Sequence, residues 1–107
     1  MGRRETEPTI PSEGEIPLGT RIRSRRWFLG IYMEDFAKDL GNYRPSHISQ
    51  IEGNKYSPSE ELFDKITKLL QISDEELVFS PREQVMEWLE IGRQKARRGR
   101  HQRSLQG

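Results

Sequence analysis

The chain has no cysteine, no long apolar run and little apolar material for its length. Of its 107 residues, 32% are hydrophobic and 33% are charged. The absence of cysteine excludes a disulfide framework, a thiolate zinc site and a cysteine nucleophile. No apolar run approaches the roughly 20 residues that a membrane helix needs, and no secretory h-region follows the start. We therefore expect a small cytoplasmic protein with one domain, part of which stays outside the packed core.

The net charge of +1 hides an uneven distribution along the chain. Residues 91–107 carry six Arg and Lys residues and no Asp or Glu, whereas the preceding residues are weakly acidic. A basic tail on a near-neutral domain suggests an anionic partner, most simply nucleic acid. A solvated, disordered end is the equally simple alternative.

Local composition divides the chain into four segments. Residues 1–17 contain three prolines and only two isolated isoleucines, so we expect a disordered arm. In residues 18–79 the apolar side chains recur at helical spacing and never alternate as in a strand, which predicts five helices and no sheet. Residues 80–98 predict a further amphipathic helix, and residues 99–107 predict a basic disordered tail.

Glycine and proline mark the ends of the first three helices. Gly30 and Gly41 stop the first and second helices, and Pro45 suits the first position of the third. Serines at positions 57, 73 and 80 are each followed three residues later by glutamate. This capping-box spacing predicts the starts of the fourth, fifth and sixth helices.

Two short helices joined by a short loop after a glycine are typical of a helix-turn-helix. The chain resembles the Cro and phage-repressor type of this motif, also called the XRE family. The resemblance is carried by Leu18-Gly-x-Arg-Ile-Arg, Arg26, Gly30, Ala37-x-x-Leu40-Gly41, Ile48-Ser49-x-Ile51-Glu52, Pro58-Ser59 and Glu76-Leu77. It implies an all-α, five-helix Cro/repressor-like DNA-binding domain over residues 18–79, to which this chain adds a C-terminal helix and a basic tail.

The third helix carries the candidate contacts with DNA bases. Ile48 and Ile51 are spaced to face the core, which leaves five polar side chains toward solvent or a partner: Arg44, Ser46, His47, Ser49 and Gln50. Short polar side chains read base edges, and arginine reads guanine or binds phosphate. The resemblance places Pro45, Ser46 and Gln50 where family members touch bases. We predict base contacts from Pro45, Ser46, His47, Ser49 and Gln50.

Phosphate contacts are predicted around this helix and in the tail. Arg44, Asn54 and Lys55 flank the helix and are placed for the DNA backbone. Met33 stands where family members have a glutamine that typically touches a phosphate, so the resemblance implies a backbone contact at that position. The tail adds sequence-independent contacts, which we assign to Arg97, Arg98 and Arg100.

The resemblance also implies a structural ion pair. Arg26 lies at the edge of the apolar stripe of the first helix, so its head group can reach inward. Glu52 follows Ile51 directly at the end of the third helix. We expect these two charges to join the first helix to the third.

Trp27 falls about 180° around the first helix from its apolar stripe, so the five-helix core does not bury it. In the sixth helix, Val85, Trp88 and Leu89 form an apolar stripe that needs a covering surface. The helix either folds back over Trp27 of its own chain or pairs with its counterpart in a second chain. We favour the second arrangement and a homodimer, because this class usually reads DNA with two copies.

These observations predict a sequence-specific transcriptional regulator that binds double-stranded DNA. The sequence contains no Ser–His–Asp arrangement, carboxylate pair or glycine-rich phosphate loop, and its two histidines give no metal-ligand cluster. We therefore expect no enzymatic activity, cofactor, metal or small-molecule substrate. The alternative is a protein-interaction module, for example an antitoxin or adaptor, which the near-neutral domain, Met33, Trp27 and Tyr56 favour.

Overall fold

The computed structural model describes residues 9–106, with side chains described up to residue 96. Over that range it contains six α-helices and no strand, which confirms the all-α prediction. The helices are α1 Leu18–Leu29, α2 Met33–Asp39, α3 Pro45–Glu52, α4 Glu60–Leu70, α5 Asp74–Val78 and α6 Arg82–Gln106. None of the helices described has both the length and the apolar character needed to cross a membrane.

Helix α1 lies at the centre of the molecule. It packs against α3, α4 and α5, and its most extensive contact is with α6. Every helix contributes buried apolar side chains, and Ile16 and Leu40 add two from just outside the helices: Ile16, Ile22, Phe36, Ala37, Leu40, Ile48, Ile51, Leu62, Ile66, Leu70, Leu77, Val85, Trp88 and Leu89. One core therefore supports both the α2–α3 unit and the C-terminal helix.

The predicted glycine and proline signals set the helix ends around the α2–α3 unit. Gly30 ends α1 with a left-handed φ of 73°, and its N–H points back to the carbonyls of Arg26 and Trp27. Pro45 occupies the first turn of α3, where an N–H is not needed. These bounds are local properties of the sequence and are confirmed.

The predicted cap of α4 is wrong by two residues. The helix begins at Glu60, and the Ser59 hydroxyl accepts a hydrogen bond from the Leu62 N–H at 3.1 Å. Ser57 and Pro58 therefore both precede the helix. Because proline suits an extended segment as well as a first turn, composition does not separate Ser57 from Ser59.

The predicted box at Ser80 is also wrong. The Ser80 hydroxyl donates to the carbonyls of Glu76 and Leu77, so it closes α5 instead of opening α6. A serine between two closely spaced helices can cap the C-terminus of the first or the N-terminus of the second. Here its hydroxyl lies nearer to the free carbonyls at the end of α5. The box between Ser73 and Glu76 forms as predicted.

Residues 9–17 were predicted to be disordered, but they lie against the helices. Ile16 is buried, and its carbonyl accepts a hydrogen bond from Arg21 Nε at 3.1 Å. Arg82 at the start of α6 donates to the carbonyl of Pro11. Burial lowers the pKa of the Arg21 guanidinium, which still stays charged at neutral pH. Arg21, five residues from Ile16, and the distant Arg82 thus satisfy carbonyls of this segment, and composition alone does not reveal these contacts.

Helix α6 folds back on its own chain, which is the arrangement that the sequence analysis ranked second. Val85, Trp88 and Leu89 are all buried. At Gly92 the helices approach so closely that a Cβ would lie 2.6 Å from the carbonyl carbon of Trp27. The apolar stripe is therefore covered within the chain and is not free to form a dimer. An apolar stripe predicts that a helix packs against another surface. It does not predict whether that surface belongs to the same chain or to a second copy.

The end of α6 also differs from the prediction, because the helical backbone continues to Gln106. Residues 99–107 were predicted to form a disordered tail, yet most of the residue types in them are good helix formers and no proline stops the helix. Lys95 Nζ donates to the Phe28 carbonyl at 2.7 Å, so α6 passes the end of α1 at this point. Residues 1–8 lie outside the described residues, and the prediction made for them stays a prediction.

Candidate nucleic-acid interface

Helices α2 and α3 are joined by a tight turn over residues 40–44. The Tyr43 N–H donates to the Ala37 carbonyl and the Asn42 N–H to the Lys38 carbonyl, each at 3.0 Å. Asn42 adopts a left-handed φ of 60°, which asparagine tolerates better than most residues. These bonds fix the direction in which α3 leaves α2.

Helix α3 has two chemically distinct faces. Ile48, Ile51 and Glu52 are buried against the rest of the molecule. The exposed residues on and just before the helix are Arg44, Pro45, Ser46, His47, Ser49 and Gln50. The structure therefore brings all five predicted base-reading residues to the exposed surface of one short helix. This surface offers hydroxyl, imidazole and amide groups to a partner.

One aromatic contact is built into the exposed surface. The Tyr43 ring stacks on the His47 imidazole, with 5.4 Å between the ring centroids and 10° between the ring planes. No role for Tyr43 was predicted from the sequence. The signal for this contact was the spacing of the two rings, because residues four positions apart at the start of a helix lie close together.

The Met33 side chain is poorly suited to bind a phosphate, although the resemblance implies a phosphate contact at its position. Its side chain is half-buried and packs against the hydrophobic core at the start of α2. A thioether has no N–H or O–H to donate, so only the backbone N–H groups of this helix end can serve a phosphate. The residue before it, Tyr32, provides no side-chain cap to α2.

Asn54 has a structural role that the sequence analysis missed. Its Oδ1 accepts a hydrogen bond from the Gly19 N–H at 2.7 Å, and its Nδ2 donates to Thr20 Oγ1 at 3.3 Å. This side chain therefore caps α1 instead of being directed at a phosphate. The signal for this role was Pro17, which precedes α1 but cannot cap it, so that the free N–H groups of α1 need a partner from elsewhere in the chain. Lys55, the neighbouring candidate, is exposed.

The carboxylate of Glu52 is held between two arginines of α1. Arg26 contacts it twice, with Nε at 2.7 Å from Oε2 and Nη2 at 2.9 Å from Oε1. The Arg26 and Glu52 side chains are almost fully buried. Arg23, which the sequence analysis did not name, adds a third contact from Nε at 3.1 Å. These contacts attach the end of α3 to α1.

The tail arginines complete the set of predicted phosphate contacts. The side chains of Arg97, Arg98 and Arg100 lie outside the described residues. The contacts predicted for them stay predictions.

Comparison with known protein families shows that residues 29–77 match a helix-turn-helix family. The matched segment runs from the last residue of α1 into α5 and includes all of α2, the turn and α3. Comparisons with curated proteins and with solved structures gave no match. Residues 29–77 are therefore similar to the Cro/C1-type helix-turn-helix family, also called the XRE family, whose members are DNA-binding domains.

Proposed function

We propose that this protein is a sequence-specific transcriptional regulator that reads the major groove of DNA with α3. The observation that carries the proposal is the division of α3 into a buried apolar face and an exposed polar one. A helix of this kind fits the major groove, where hydroxyl and amide groups distinguish base pairs. Helix-turn-helix proteins use the first residues of the second helix for this purpose.

Two exposed cations at the ends of α3 support the same proposal. Arg44 precedes the helix and Lys55 follows it, and both are exposed. Cations placed on either side of a reading helix contact phosphates and fix its register on the duplex. Asn54 is left out of this set, because its side chain is bound to α1.

Selection of bound duplexes from a random pool tests the proposal directly. We expect a consensus of several fixed base pairs. A variant with Gln50→Ala should lose one fixed position, whereas Gln94→Ala, at an exposed site on α6, should select the parent consensus. A pool that shows no enrichment would contradict sequence-specific binding.

The proposal includes a homodimer on DNA. Dimers of helix-turn-helix proteins read two half-sites about 34 Å apart, so the selected consensus should be palindromic. Because Trp88 of α6 is buried against its own chain, the contact between the two copies must use a surface that does not include Trp88. Sedimentation with and without the selected duplex measures the number of copies bound. One copy on a non-repeated site would contradict the homodimer.

A protein-interaction module is the second candidate function. It is favoured by an exposed apolar group around the junction of α5 and α6, where Phe79 is 77% exposed and Val78 and Met86 are also exposed. Retention on non-specific duplex DNA at low salt separates the two functions, because phosphate binding falls steeply with salt. A module that binds only protein shows no such retention.

A further inference from the structure

We infer that Tyr43 is a positioning residue for base recognition, which holds the His47 imidazole so that it selects a purine at one position of the DNA site. The inference rests on the proposed function. It adds a named base class and a residue that lies outside α3. The carrying observation is the near-parallel stack of the two rings.

Tyr43 is fixed by its surroundings. Its side chain is half-buried and packs against the hydrophobic core. Its backbone N–H donates to the Ala37 carbonyl in α2 at 3.0 Å. The phenol ring therefore forms a rigid surface beside the first turn of α3.

His47 is exposed, and its only ring contact among the described residues is with Tyr43. Its backbone N–H donates to the Arg44 carbonyl at 2.9 Å, which fixes the main chain but not the ring. An exposed imidazole can otherwise rotate about two side-chain bonds. Stacking on a fixed ring restricts this rotation before DNA binds, so less freedom is lost on binding.

The chemistry of imidazole determines the base class. A neutral imidazole carries one N–H donor and one acceptor nitrogen. In the major groove both purines present N7 as an acceptor, whereas cytosine presents a donor and thymine an acceptor at another place. An oriented imidazole N–H therefore favours adenine and guanine over the pyrimidines.

The test measures base preference at every position of the selected site. Four duplexes that differ at one base pair compete for the full-length protein, and the ratio of affinities for purine and pyrimidine is recorded. We expect His47→Ala to lower this ratio about tenfold at one position. Tyr43→Leu, which keeps apolar contact with the core, should lower it at the same position by at least about threefold. Tyr43→Phe should retain the parent ratio, because the ring and its stack remain.

The double variant Tyr43→Leu/His47→Ala should lose no more preference than His47→Ala alone, because the two residues act as one unit. The inference is overturned if His47→Ala leaves the ratio of purine to pyrimidine affinity unchanged. Because the His47 side chain is exposed, this substitution does not disturb the core. The inference is also overturned if Tyr43→Leu lowers affinity equally for all four duplexes. If the parent protein itself shows no base preference anywhere, the proposed function fails. A parent preference that survives both substitutions refutes only the role of Tyr43 and His47.

Discussion

At the scale of single residues, the Glu52 carboxylate depends on the positive charges that surround it. Its side chain is fully buried, and Arg26 satisfies both of its oxygens. Removing one partner of a buried ion pair leaves the other charge without water or counter-charge. Stability and the position of α3 are therefore coupled through one side chain.

Substitution of this carboxylate should be costly. We expect Glu52→Ala to lower the free energy of unfolding by about 3–5 kcal/mol, because two arginines lose their partner. Glu87→Ala, at an exposed site on α6, should change it by less than about 0.5 kcal/mol. Urea unfolding followed by circular dichroism measures both. Equal midpoints for the two variants would show that the pair does not stabilise the fold.

Gln50 and Lys55 should separate specificity from affinity. Gln50→Ala is expected to cost about 1–3 kcal/mol on the selected site and to relax preference at one base position. Lys55→Ala should weaken binding to all sequences alike and lower the salt slope by about one. Binding titrations at several salt concentrations, on specific and random duplexes, measure both effects. Equal losses on the two duplexes for Gln50→Ala would remove its base-reading role.

The sequence predicted the exposed residues of α3 but not the contacts that hold the helix in place. Its exposed side follows from the spacing of Ile48 and Ile51, which is a local property. The bonds of Asn54 to α1 and of Arg23 to Glu52 join residues 35 and 29 positions apart. Such contacts depend on the tertiary arrangement. The Arg26–Glu52 contact was anticipated only because the chain resembles a known family.

At the scale of helices, the contact between α1 and α6 depends on a glycine. A Cβ at Gly92 would lie 2.6–2.7 Å from three atoms of Trp27, two of them in the backbone. Backbone atoms of a central helix cannot move aside as a flexible side chain can. Helix α6 itself must then shift outward.

Gly92→Ala should therefore destabilise the protein although alanine is the better helix former. The gain in helix propensity is about 1 kcal/mol, whereas overpacking costs about 1–3 kcal/mol and here meets backbone. We expect a lower midpoint of thermal unfolding. Gln94→Ala, on the same helix but exposed, should leave it unchanged or slightly raised. A midpoint in Gly92→Ala at or above that of the parent would contradict the close packing.

Helix bounds were predictable to different degrees for physical reasons. Gly30 and Pro45 act through their own backbone, so the ends that they set follow from the sequence. Ser80 lies between two helices and satisfies the one whose carbonyls it reaches. The apolar stripe of α6 did not predict that the helix packs on its own chain, because a second copy of the chain could bury the stripe equally well.

At the scale of the whole molecule, charge is concentrated at the end of α6. Lys95 lies beside Phe28 at the end of α1, and the helix continues beyond it to Gln106. The sequence beyond residue 96 contains four arginines and no acid. A cationic segment of this kind adds affinity for phosphates without reading sequence.

Truncation after Ala96 should lower affinity for duplex DNA at low salt and leave the selected consensus unchanged. The salt slope should fall by about 0.9 for each arginine that contacts a phosphate. A full-length variant with the four arginines changed to glutamine should match the truncation, and one with four lysines should retain most of the affinity. Salt-dependent binding titrations compare the three. An unchanged slope after truncation would show that the tail does not contact DNA.

Both tryptophans of the sequence, Trp27 and Trp88, lie where α6 meets α1. Intrinsic fluorescence therefore reports the docking of this one helix, whereas far-ultraviolet circular dichroism reports all six. Because α6 shares its core with the other helices, we expect the two signals to follow a single thermal transition. A fluorescence change at lower temperature would show that α6 detaches first. Emission that stays constant while duplex DNA binds would show, without any attached dye, that α6 remains docked in the complex.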